Sequence, residues 1–369
     1  MFQKKRFLLA VLIISGFFIT SYVSADKLEN VLMPDAYIIG RVNLTNIQAS
    51  SIAKLIRKDD TVSSEVKVDK INTVLKKYNL SDKDFTSFVV GIKLNIKGFK
   101  NINDALLNDG SKEFVFGVQS SKPVTLKQLK NIVIDSSNQD KEINVNVQTI
   151  KKDGIDLLLI KNKEKGTTQP IALAALESEK IIIGGIPEAV VDSVKRFKSG
   201  KNVVFETELT KLKSEVSKNA DFYLVGYIPE AIRDKVGLTR EAKPVEKGKK
   251  EVVSVEIFKD ISALSIQADF TKKLNVNIFA YFITRNSAED AQKLINQFLP
   301  MLKFIAMGST QGVELPVLDS IDCKISKTKP ELKIHLAVNE QDVKGVQKII
   351  NKKQIPDVKT NNIYTQIQD

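Results

Sequence analysis

His335 is the only histidine of this 369-residue chain and Cys323 its only cysteine, so the side chains that most often act as base or nucleophile near neutral pH occur once each. One histidine rules out metal sites built on several histidines, and it could serve only one triad. In its segment Leu332, Ile334, Leu336 and Val338 alternate onto one face, which puts His335 on the other beside Lys333 and Ala337. No partner is identifiable by spacing, so His335 reads as an ordinary polar-face residue. Cys323 alternates with Ile321 and Ile325 and therefore faces the apolar side, where a buried thiol is inert. With no second cysteine, no disulfide can form within the chain.

Gly184 and Gly185 stand between an aliphatic run and Pro187–Glu188, superficially like a turn that cradles phosphate at a helix start. The fingerprint of three spaced glycines is missing, as is a Lys followed by Ser or Thr after a glycine loop. A tight turn needing positive φ is the simpler reading. There is no Gly-x-Ser-x-Gly elbow, and although acidic residues are plentiful, spacing singles out no pair for hydrolytic work. No catalytic, metal-binding or cofactor-binding residue is assigned, and no cofactor is expected. Asn-x-Ser/Thr sequons occur at Asn43 and Asn79, and Asn43 reads equally well as a helix cap.

One stretch is apolar nearly all round: Phe298, Leu299, Pro300, Met301, Leu302, Phe304, Ile305, Ala306 and Met307. An amphipathic surface helix buries only one stripe. Two readings stay open here: a helix covered by its own domain, or a patch of Leu299, Met301, Phe304 and Met307 that receives a protein partner or a second copy in a homodimer.

The elements that would position these residues come in a repeated order. Asp35-Ala-Tyr-Ile-Ile-Gly-Arg-Val42 aligns with Asp221-Phe-Tyr-Leu-Val-Gly-Tyr-Ile228, sharing Asp, Tyr and Gly and exchanging three aliphatic residues. Each is a β-branched and aromatic run of strand length, followed by a helical stripe. Strands at 84–92 and 260–268 follow, then strands at 114–118 and 276–283 that turn into helices. Each copy closes with strands and a final helix, at 187–197 and 340–350, where Val191 and Val194 correspond to Val343 and Val346. Asp153–Gly154 and Lys272–Lys273 read as hairpin turns, which favours antiparallel pairing. The expected fold is α+β: two tandem related domains at 26–205 and 206–352, each a mostly antiparallel sheet with helices packed on one face. A polar helix with Leu209, Leu212 and Val216 bridges them, and a polar tail occupies 353–369.

Residues 1–25 read as a signal peptide. Lys4, Lys5 and Arg6 form a basic start, an uncharged stretch runs from Phe7 to Thr20, and Val23 and Ala25 are the small residues of a cleavage site before Asp26. The apolar part is shorter than the about 20 residues that span hydrocarbon, and no later run approaches that length. Removing it lowers the formal charge of +12 by three. The remaining lysines are interleaved with acids, as in Arg57-Lys-Asp-Asp60, which is not the clustering that nucleic acid demands. The densest basic stretch, 241–251, reads as a flexible loop. At 43 % hydrophobic residues the chain is outside the disordered range.

These features describe an exported, periplasmic or extracellular, non-enzymatic binding or scaffold protein of a bacterial cell envelope. The alternatives are an extracytoplasmic hydrolase using carboxylates and a protein that attaches to an anionic polymer or membrane surface. Intact-mass measurement of the chain recovered from the cells that make it is expected to show Asp26 as the first residue; a chain still carrying Met1 would remove the export reading.

Overall fold

The computed structural model of the chain describes residues 25–58, 72–94, 112–139, 145–162, 169–235, 260–270, 273–309 and 319–344. The export segment before Ala25, the lysine-rich stretch at 241–251 and the tail at 353–369 lie outside them. Among the described residues twelve strands form one sheet: β1 (Ile38–Asn43), β2 (Phe85–Leu94), β3 (Lys112–Ser120), β4 (Val145–Lys152), β5 (Ile155–Asn162), β6 (Ile171–Leu176), β7 (Ile181–Gly185), β8 (Phe222–Tyr227), β9 (Ile261–Asp269), β10 (Leu274–Phe282), β11 (Asp322–Ile325) and β12 (Glu331–Val338). Their order across the sheet is β11-β12-β10-β9-β8-β1-β2-β3-β7-β6-β5-β4, and every neighbouring pair is antiparallel.

This is the α+β, antiparallel fold that the hairpin turns predict, with a difference in how the halves relate. The chain does not build a separate sheet for each half, because β1 and β8 are hydrogen-bonded neighbours at the centre of a continuous one. These are the strands of the two matched octapeptides. Their register sets Ile39 opposite Val225, Gly40 opposite Leu224 and Ile38 opposite Gly226. Each glycine thus faces an aliphatic residue of the other strand. A Cβ on Gly40 would lie 3.1 Å from Leu224 Cδ1, and one on Gly226 would lie 2.9 Å from Ile38 Cγ1.

Residues directly opposite one another in an antiparallel ladder share a face, so the register defines rows across the sheet. One row runs Thr149, Leu158, Leu173, Gly184, Phe116, Val90, Gly40, Leu224, Ile266, Ile278, Ile334, Cys323, one residue from each strand. The helices whose bounds lie among the described residues are, in chain order, α1 (Ala25–Glu29), α2 (Leu44–Ala49), α3 (Ser51–Lys58), α4 (Leu126–Gln139), α5 (Pro187–Lys198), α6 (Thr207–Ser214), α7 (Glu230–Lys235) and α8 (Arg285–Ser309). Leu129 and Ile132 of α4 pack with Phe116, Leu158 and Ile182 on the face of that row. On the same face Ala288, Ala291 and Leu294 of α8 meet Ala280 and Leu332. The other face carries Leu28, Val31 and Leu32, then Val190, Val194 and Phe197 of α5 and Leu209 and Leu212 of α6, packed on Val89, Val115, Ile183, Leu157, Tyr223 and Val225. Helices therefore cover both faces, which corrects the one-face expectation. Strands such as β7, buried at every residue, need cover on both sides because their side chains alternate.

Local chemistry fixes the element boundaries. Asp153 and Gly154 have φ of 52° and 77°, the left-handed pair that a two-residue hairpin requires between β4 and β5. Thr125 and Thr284 sit before α4 and α8, and their Oγ1 atoms accept the N–H of Gln128 and Ser287, each at 3.1 Å, which satisfies helix-start donors. Asp84 and Asp260 close the two corresponding hairpins: each backbone carbonyl accepts an N–H, from Ser121 and Ile283, and each carboxylate accepts a serine hydroxyl, from Ser121 and Ser287. Pro187 stands in the first turn of α5, where a missing N–H costs nothing. From α5, Arg196 donates to the carbonyls of Asn30 and Val31 and ties the N-terminal segment down.

Gly184 and Gly185 belong to strand β7, which corrects the tight-turn reading as well as leaving no phosphate-binding turn there. A Cβ at Gly184 would lie 2.1 Å from the Cζ of Phe116, so the glycine is the floor beneath a buried ring. Gly184→Ala is expected to lose about 1–3 kcal/mol of unfolding free energy through overpacking. Combined with Phe116→Leu it should cost less than the two single changes together, read from urea midpoints. A Gly184→Ala chain as stable as the original would show that the ring can swing aside.

Candidate functional site

The face that holds α6 also carries the row Glu331, Tyr281, Ala263, Tyr227 across β12, β10, β9 and β8. The small Ala263 lies between two tall tyrosines and leaves a trough in the sheet surface. Helix α6 lies across it. Glu206 is the residue capping the N-terminus of α6, and Glu215 is the one capping its C-terminus. Tyr227 Oη donates to Glu206 Oε2, and Tyr281 Oη donates to Glu215 Oε2 at 2.5 Å. The helix is thus held at both ends by phenols rising from the sheet on either side of Ala263. Beside it, between the helix, the ends of β8–β10 and α7, is a groove of about 590 Å³.

A carboxylate suits the positive N-terminal end of a helix and is unfavourable at the negative C-terminal end. Glu215 is at the unfavourable end, and Lys329 compensates by donating to Glu215 Oε1 at 2.6 Å. Burial alone would raise the Glu215 carboxyl, but the hydrogen bonds from Lys329 and Tyr281 outweigh it and hold the group below its ordinary value. The same hydrogen bond raises Lys329. Burial first, and then the bond to its glutamate, pushes each of Tyr227 and Tyr281 far above the usual phenol value. Both phenols therefore stay protonated donors. A third link of this kind ties α6 to the N-terminal segment: the buried Glu29 accepts from Tyr223 Oη at 2.6 Å and pairs with Lys213.

The rest of the groove is lined by Tyr37, Leu212, Pro229 and Pro330 and by the charged Glu208, Lys211, Glu230 and Arg233. Tyr37 packs edge-on against Tyr227 with centroids 5.6 Å apart. The Nε of Arg233 is buried without an acceptor. Glu331, at the end of the tyrosine row, is raised by burial and by the nearby charge of Glu215, but it is not one of the groove's lining residues.

The residues that stood out in the sequence lie elsewhere. His335 is on the groove's face of the sheet, and its Nδ1 lies 3.0 Å from Asn277 Oδ1; it does not line the groove. Cys323 faces α8 on the opposite side, half-buried, with its thiol pushed up to about 11 by burial and by Asp322. Asn43 occupies the capping position before α2, but its side chain makes no cap hydrogen bond. Asn79 is in a turn with φ of 57°. In α8, Phe298 is exposed and Leu299 half-buried, and the helix continues through Pro300, Met301, Phe304 and Met307 to Ser309; the side-chain surroundings of those last three residues lie outside the described residues. Among the described residues no cluster of His, Cys, Asp or Glu could hold a metal ion.

No protein-family model, curated protein or solved structure matches this chain. The tyrosine–glutamate clamps are the site's own evidence. Tyr227 and Tyr281 are invisible as site residues from sequence because strand aromatics usually serve a core. The available signal is that the second octapeptide has Tyr227 where the first has Arg41.

The clamps give a definite pH window. Glu215 is depressed, so its contribution to stability is present above the ordinary carboxyl value of about 4.3 and lost as pH falls through its folded value. Tyr281 and Lys329 are raised, so theirs is present below about 10 and lost as pH rises through their folded values. Tyr281→Phe is expected to cost about 1–2 kcal/mol at neutral pH and to speed amide exchange at 207–214. Glu215→Gln should flatten the acid limb of the stability curve below about pH 4; an acid limb identical to that of the unchanged chain would show that Glu215 carries none of it.

Proposed function

We propose that this chain is an exported, non-enzymatic binding protein of a bacterial cell envelope, built from two related halves at 26–205 and 206–352, and that the groove beside α6 holds its partner. One observation carries this reading: the carboxylates at the ends of α6 are committed as helix anchors with phenol and ammonium donors, while the groove beside the helix stays open. Groups held in that way shape a surface and do not shuttle protons. The export reading is supported by a basic start, a short uncharged apolar stretch and small residues just before Asp26. A cut before Asp26 leaves the buried Leu28, Val31 and Leu32 in the mature chain. Among the described residues no helix is long and apolar enough to cross a membrane. The relatedness of the halves is supported by β1 and β8 pairing with each glycine against the other's aliphatic residue, and by the matching hairpin closures at Asp84 and Asp260.

A carboxylate hydrolase is the second reading, and one observation favours it: Glu215 is held down while Glu331 is pushed up, as in acid and base pairs whose environments separate them. Against it, Glu215 has both oxygens engaged and Glu331 is outside the groove lining. Attachment to a polyanion gains no support from lysines paired with acids, as in Lys27–Glu179, Lys77–Asp135, Lys152–Glu188 and Lys195–Asp153.

A photoreactive residue placed at Glu208, on the groove rim, is expected to give a discrete cross-linked species in intact cells, and one at the exposed Lys83 is expected to give none. Equal labelling from both positions would count against the groove. Hydrolysis of envelope glycan or peptide by the purified chain, abolished by Glu331→Gln, would overturn the binding reading in favour of the enzyme.

A further inference from the structure

We infer that the groove takes a short peptide with both termini free, its carboxylate received by Arg233 and its ammonium by the acidic rim of Glu206, Glu208 and Glu230. This rests on the groove being the binding site, and it adds the chemistry of the occupant.

The demand for an anionic group comes from Arg233. Arg233 lines the groove and has no ion pair among the described residues, and its buried Nε–H makes no hydrogen bond within the protein. A guanidinium is built to receive a carboxylate through two parallel hydrogen bonds, here through the terminal nitrogens. The surroundings decide which anion. The groove is lined by Glu206, Glu208, Glu215 and Glu230 against Lys211, Arg233 and Lys329, so acids outnumber bases before any ligand enters. A phosphate dianion would face that excess with two charges, a carboxylate with one.

The demand for a cationic group follows from the same census. Glu215 is satisfied by Lys329 and Tyr281. Once Arg233 is engaged by the ligand's carboxylate, Glu206, Glu208 and Glu230 face Lys211 alone. Among the described residues Glu208 and Glu230 have no ion pair, and Glu206 accepts only from the neutral Tyr227. An ammonium on the ligand offsets the charge of its own carboxylate and returns the groove to the one-acid excess it has before the ligand enters. The middle of the ligand meets Tyr37, Leu212, Pro229 and Pro330, a surface of aromatic and proline carbon suited to small side chains. About 590 Å³ is within the range of pockets that enclose drug-sized molecules, and a single amino acid would leave much of it to water.

The test is calorimetric titration of the full mature chain with the tripeptide Ala-Ala-Ala, its C-terminal amide and its N-acetyl form. Amidation is expected to weaken binding at least about tenfold in the unchanged chain and to make no further difference in Arg233→Gln, while Arg233→Lys keeps part of the preference for the free acid. N-acetylation is expected to weaken binding in the unchanged chain, with the effect shrinking in Glu208→Gln/Glu230→Gln. Equal affinity for acid and amide, or an Arg233→Gln chain that still prefers the acid, would overturn the proposal. If no peptide binds while cross-linking at Glu208 persists, the occupant is wrong and the site stands; if both fail, the groove itself is not the site.

Discussion

The pairing of β1 with β8 is the constraint on which the rest of the molecule depends. Two short strands of matching sequence meet antiparallel, and their glycines are placed so that each clears room for an aliphatic residue of the other. A side chain on either glycine would push the strands apart at the centre of the sheet. With the pairing in place, a chain without disulfides gains one hydrophobic structure of twelve strands in place of two smaller ones. Burial per residue rises with size, and this sheet has helices on both faces to exploit that.

The continuous sheet also dictates the path of the linker. After α5 the chain must return from the β7 side of the sheet to its middle, where β8 starts, and α6 is that return. It crosses the face of the sheet over β8, β9 and β10, on Leu209 and Leu212, and it must be held there without a long helix's worth of contacts. Tyrosine–carboxylate bonds do this at both its ends, and Lys213 does it from the side through the buried Glu29. The charge at the C-terminal end is tolerated only because Lys329 and Tyr281 both donate to it. Removing one donor there exposes the other half of a compensated arrangement, which is why these groups hold a helix in place better than they could run a proton transfer.

Much of the fold was legible in the sequence, and the reasons are local. The strands at β1, β2, β3, β5, β8, β9 and β10 alternate or run apolar over the right lengths, Asp153–Gly154 is a turn by backbone preference alone, and Pro187 opens its helix. What sequence could not carry is which strand lies next to which. Nothing in Ile38–Asn43 says that its neighbour on the side away from β2 is a strand some 180 residues later, so two sheets and one sheet predict the same alternation. Helices on both faces were missed for a related reason, since α4 and α5 each show one apolar stripe and the stripe does not say which side of a sheet it meets. The candidate site was barely legible. His335 and Cys323 drew attention by rarity, which is a property of composition, whereas Tyr227, Tyr281, Glu206 and Glu215 act through a juxtaposition of strand and linker that no spacing records.

The two matched octapeptides, aligned through the central pairing, carry different rows on the face that holds α6. Across β1 and β8, Arg41 corresponds to Tyr227; their outer neighbours are Val89 and Ala263, and the next strands supply Gly117 and Tyr281. At Gly117 the missing side chain lets the N-terminal segment sit directly on the sheet: a Cβ there would lie 2.7 Å from Val31 and 3.1 Å from Leu28. At the corresponding place Tyr281, with Tyr227 across the small Ala263, binds the two ends of α6, and Leu209 and Leu212 of that helix pack on the same face. The row Arg–Val–Gly thus admits the N-terminal segment, and the row Tyr–Ala–Tyr anchors a helix. Tyr227 is itself buried in the core cluster and Tyr281 packs against it, while both also line the groove beside α6.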